Sequence, residues 1–112
     1  MKNESFMLTC GNKGFQISFS NHYAISVQFG TFSYCSRRSL DTSRIGEERT
    51  MDMVKSPDAE VAILYDGEFV ENAELYKLLD EAGLELSGDG MICGWVSADD
   101  VGRLIGYLAN KG

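Results

Sequence analysis

The sequence holds one proline, one histidine, one tryptophan and three cysteines in 112 residues, and each scarcity excludes something. Cys10, Cys35 and Cys93 stand far apart with no CxxC pair, and the lone His22 cannot complete a zinc site with such distant thiols. An odd, dispersed set of thiols without a signal-like apolar stretch fits a reducing cytoplasm better than a disulfide framework. No run of about eighteen apolar residues occurs, so neither a transmembrane helix nor a membrane partner is expected. Excess positive charge is missing too. A net charge of −7 argues against direct nucleic-acid binding, which needs a basic surface to displace counterions. Nor is there a Ser-His-Asp grouping, a phosphate-binding loop or a spaced acidic pair, so neither catalysis nor a cofactor is expected.

What is present suits a single domain over residues 1–112. The six Phe, five Tyr and one Trp fit a globular core. Charge is divided unevenly, with a balance of +2 over residues 1–50 and −9 over residues 51–112. An anionic guest would therefore approach the first half, while the acidic half keeps the protein soluble.

Alternation of apolar and polar residues marks the strands. Phe6, Leu8 and Cys10 suggest a first strand. Phe15–Ser20 and Tyr23–Gly30 form a hairpin around Ser20-Asn21-His22. Residues 36–57 read as a long polar loop closed by Pro57. The apolar run Ala59–Tyr65 is a buried strand, Asp66-Gly67 a tight turn, and Glu68-Phe69-Val70 the return. Asn72 is placed to cap a helix over 73–82 with Leu75, Leu78, Leu79 and Ala82 inward, and Gly83 to stop it. Met91–Val96 is a last strand, with Trp95 read as core. Ser97-Ala98-Asp99-Asp100 resembles a capping box for a final helix over 98–109 that buries Val101, Leu104, Ile105 and Leu108. The fold class is α+β: a mainly antiparallel sheet with one or two helices toward the C-terminus.

The candidate site is a binding site. Phe32 and Tyr34 offer faces for stacking on a base, and Arg37 and Arg38 carry forks that match phosphate oxygens. Core packing of the rings and solvation of the arginines is the plainer alternative. Arg103 is isolated among acids, so it either pairs with a carboxylate or awaits an anion, and the anion is the reading taken. Tyr107 lies four residues on, beside Gly102 and Gly106. Those helical glycines point to close approach of another backbone, a subunit or a ligand, or to plain core packing. A nucleophilic Cys35 served by His22 is left open.

The segments GF-x-I-x-F (14–19), A-I-S-V-Q-F-G-x-x-x-Y-C (24–35), A-E-V-A-I (59–63) and G-W-V-S-x-D-D-V-x-R-L-I (94–105) resemble small bacteriophage proteins of the Thoeris anti-defence sponge family. Such proteins sequester cyclic ADP-ribose immune signals. The resemblance implies a viral, non-catalytic homo-oligomer in the host cytoplasm that holds a cyclic nucleotide without cleaving it. Within that family's pattern, Arg103 is the matching contact residue. The alternative function is an acidic, anti-CRISPR-like nucleic-acid mimic that inhibits a bacterial defence complex by binding protein.

Overall fold

The computed structural model describes residues 5–9, 14–29, 56–86, 88–89 and 91–111. Seven strands form one sheet: β1 (Phe6–Thr9), β2 (Gly14–Ser18), β3 (Tyr23–Gln28), β4 (Asp58–Tyr65), β5 (Glu68–Phe69), β6 (Gly88–Asp89) and β7 (Ile92–Ser97). Two helices, α1 (Asn72–Glu81) and α2 (Ala98–Ala109), complete the α+β fold. The strand order is β1-β2-β3-β4-β7-β6, with β5 also on β4, and the neighbours run antiparallel.

Period-two patterning puts matching residues on one face. Ile17, Ile25 and Ile63 stand in one cross-strand row, and Phe15, Val27, Val61 and Cys93 in the next. Leu75, Leu78 and Leu79 of α1, and Val101, Leu104 and Leu108 of α2, join the same core. The expected inward leucines are therefore there; Ile105 is only half-buried.

Local signals decide where elements stop. Asp66 and Gly67 both have positive φ, 52° and 81°, the geometry of a two-residue hairpin turn that matches strand twist. Gly83 has φ 79° and ends α1. Its N–H reaches Asp80 O, and the Leu84 N–H reaches Leu79 O, so the last carbonyls of the helix are satisfied. Ser97 caps α2 by accepting from the Asp100 N–H at 3.2 Å.

Two expectations are corrected. Asn72 does not cap α1. It is already helical, the cap position is Glu71 in extended geometry, and no side chain closes that end. Trp95 is not core but 56% exposed. Ala59 pairs with Val96 and Val61 with Cys93, so Gly94 and Trp95 together face the single residue Glu60. This bulge resets the alternation: Cys93 and Val96 both point inward, and Trp95 is carried outward at φ 52°.

The two helical glycines meet nothing. A Cβ at Gly102 or Gly106 finds no atom within 4 Å, so core packing does not explain them. Gly102→Ala and Gly106→Ala should each stabilise the protein by about 0.5–1 kcal/mol in urea denaturation. Gly14 is the opposite case: at φ 150° a Cβ would lie 2.0 Å from Val27 O. Gly14→Ala should cost about 3 kcal/mol or more in the same measurement, because both conformation and space forbid it.

Candidate functional site

At the end of the sheet where β3 begins and β4 ends, the chain leaves a cleft of about 750 Å³, inside the roughly 300–1,000 Å³ range of small-molecule sites. Three rings wall it: Tyr23, Tyr65 and Phe69. Tyr23 and Tyr65 are cross-strand partners, so their rings meet edge to face with centroids 4.8 Å apart and planes at 61°. Phe69 enters from the short return strand that the Asp66-Gly67 turn folds back on β4. Among the described residues, the acidic residues lining the cleft are Glu68, Glu71 and Glu74, and the basic one is Lys111.

Polar ties hold this end of the molecule together. The Asn21 side-chain amide donates to Leu108 O at 2.7 Å and to Lys111 O at 2.6 Å, while its Oδ1 accepts from the Tyr23 N–H at 3.1 Å. A residue in the β2–β3 turn thus ties down Leu108 O in the last turn of α2 and Lys111 O just beyond it. Beside it, His22 Nδ1 and Asp66 Oδ1 lie 2.7 Å apart, and the Asp66 N–H donates to His22 O at 2.9 Å. Two neighbouring turns are joined by this pair, and both residues have positive φ, 77° at His22 and 52° at Asp66.

Lys111 is anchored from above. Its ammonium donates to Glu81 Oε1 at 3.4 Å and to the Tyr107 hydroxyl at 3.2 Å, and it lies 5.9 Å from the Tyr23 ring centre and 5.4 Å from that of Tyr107. Tyr107 in turn donates its hydroxyl to Glu81. That bond holds the Glu81 carboxyl below its ordinary value, with Lys111 helping. Lys111 is pushed up by its bond to Tyr107 and its partnership with Glu81. Tyr107 is raised by burial and by Glu81. Burial also raises Tyr23, with Glu74 acting in the same direction and Lys111 opposing.

The residues named from sequence fall in different places. Phe32, Tyr34, Arg37 and Arg38 lie outside the described residues, as do Cys35 and most of the 36–57 loop. Arg103 takes the carboxylate alternative: its guanidinium lies 2.7 Å from Asp100 on the exposed side of α2, its side chain 64% exposed. It does not line the cleft. Tyr107 reaches the cleft through Lys111. Sequence reading missed Tyr23, Tyr65 and Phe69 as residues lining a cleft, because each sits in a strand pattern that equally describes core. Burial pushes the Cys93 thiol up, away from the reactive thiolate. Among the described residues no group of three His, Cys, Asp or Glu side chains is placed to hold a metal ion, and no helix is long and apolar enough to cross a membrane.

Compared with known family models, curated proteins and solved structures, the chain matches none.

Two predictions test these ties. Asn21→Ala should cost about 1–2 kcal/mol in denaturant midpoint, from the loss of two bonds to the end of α2. The lowered Glu81 carboxyl contributes stability above the ordinary glutamate range that is lost as pH falls through its lowered value; raised Lys111 contributes below the ordinary lysine range and is lost as pH rises through its raised value. Removing the shared hydroxyl in Tyr107→Phe should move the Glu81 midpoint upward in a carboxyl-carbon NMR titration. An unchanged midpoint would contradict the assignment.

Proposed function

We propose that this protein captures a small ring-bearing molecule, of the cyclic nucleotide class, and holds it without altering it. The observation that carries this reading is the cleft of nucleotide size walled by Tyr23, Tyr65 and Phe69. Tyr65 is 45% and Phe69 51% exposed, apolar surface that contributes little to the core and suits stacking. In this reading the base enters the cleft and its amino edge donates to a carboxylate of the rim. The phosphates face outward toward Lys111; Arg37 and Arg38 are further phosphate contacts only as read from the sequence. Capture alone asks only for tight binding, which rings, carboxylates and cations supply.

The resemblance to phage anti-defence sponges extends this to sequestration of a cyclic ADP-ribose signal in the host cytoplasm, by an oligomer that encloses the guest more fully than one small chain. Calorimetry with cyclic ADP-ribose isomers and cyclic di- and trinucleotides should find a guest that binds below micromolar and is recovered intact after denaturation. Tyr65→Ala and Phe69→Ala should each weaken it at least tenfold, as expected for about 1–3 kcal/mol per stacked base. The reading fails if no member of the panel binds, or if both variants bind as the parent does.

A second reading is favoured by the acidic rim itself. With a balance of −9 over residues 51–112 and exposed carboxylates at Glu71, Asp80, Glu81 and Glu85, the surface suits a basic protein partner in the manner of a nucleic-acid mimic. Such a complex would weaken steeply with salt. Charge reversal at Asp80 and Glu85, outside the cleft, would then abolish inhibition while leaving a small guest bound.

A further inference from the structure

We infer that the cleft selects flat rings that carry a positive charge, such as a quaternised or protonated nitrogen heterocycle, over neutral or anionic rings of the same shape. The inference rests on the cleft being the binding site and adds the electrical character of its guest.

Two observations carry it and a third limits it. The first is the charge around the cavity. Among the described residues that line it, Glu68, Glu71 and Glu74 contribute three carboxylates, against the one ammonium of Lys111. That ammonium is already shared between Glu81 and the Tyr107 hydroxyl. The second is the character of the walls. An aromatic face presents the negative side of its quadrupole, so Tyr65 and Phe69 attract a cation that an aliphatic wall would not. The third is the opposing effect of α1. Glu71 stands at the cap position and Glu74 in the first turn, so the cleft faces a helix N-terminus with positive character. That dipole amounts to roughly half an elementary charge. It offsets a fraction of three carboxylates, and the balance stays negative.

All of these groups line one cleft, so a guest in it meets the Tyr65 ring, the Glu71 and Glu74 carboxylates of α1 and Lys111. An anionic ring placed there meets carboxylates and the negative faces of the walls together. A cationic ring meets the same groups as partners. In a nucleotide, this orientation puts an electron-poor base inside and the phosphates out.

The test uses three rings of nearly one shape: nicotinamide, which is neutral, 1-methylnicotinamide, which is a fixed cation, and nicotinate, which is an anion. Each is titrated into the isotope-labelled full chain at constant ionic strength, with backbone amide shifts of residues 65–71 as the readout. The cation should bind at least tenfold more tightly than the neutral ring, with nicotinate weakest. In the double variant Glu71→Gln, Glu74→Gln the cation should fall to the affinity of the neutral ring measured in the same variant, and continued shifts of the same amides report that the cleft is intact. Equal affinity for cation and neutral ring overturns the inference while leaving ring capture standing. A preference that survives in the double variant overturns it as well. If no ring moves those amides, ring capture and charge selection both fall.

Discussion

The fold depends on satisfying β4. Five of its eight residues, Ala59, Val61, Ala62, Ile63 and Leu64, are buried, on both faces of the sheet. A strand this apolar needs hydrogen-bonding neighbours on both edges and a cover of side chains, or its backbone and its side chains are both left in the wrong solvent. β3 and β7 supply the edges. The leucines of α1 and α2 supply a cover on the face that carries Val61 and Ile63. Ten core side chains are less than 2% exposed, including Ile25, Ile63, Leu78 and Leu104. Most of the favourable burial is therefore spent on locating one central strand and the helices over it.

The cleft is a by-product of how that strand ends. Tyr65 is the last residue of β4, and pairing fixes Tyr23 opposite it. The tight turn at Asp66-Gly67 then returns Phe69 alongside, and α1 starts three residues later with its carboxylates. Lys111 arrives from the far end of the chain and is kept there by Asn21 through backbone carbonyls. Each wall is held by a neighbour that has its own reason to be in place, which is what preorganises a site.

Much of this was legible in the sequence because the signals were local. Strict alternation gave β2 and β3, the Asp-Gly pair gave the second hairpin, Gly83 gave the end of α1, and Ser97 gave the start of α2. The failures share one physical cause: the deciding interaction was not local. Nothing near Trp95 announces that two residues of β7 share one partner on β4, and a single extra residue turns an inward ring outward. Asn72 has the right chemistry for a cap but lies one position too late. Asn21 reads as an ordinary turn residue, since its partners are 87 and 90 positions away. The cleft draws on three separate stretches of chain, at 21–23, 65–74 and 111, so its rings were indistinguishable from core rings until the topology placed them together. Arg103 read as a contact for an anion because its isolation among acids was visible and its particular partner was not; Asp100, three residues away on the same helix, takes it instead.

The bulge at Trp95 has an optical consequence. It is the sole indole in the chain, and it already stands more than half in solvent on a strained backbone. An indole this exposed should emit close to a hydrated one and shift little when the core melts. Intrinsic tryptophan fluorescence therefore follows the local geometry of β7, and the loss of the β4-centred core is better followed by circular dichroism.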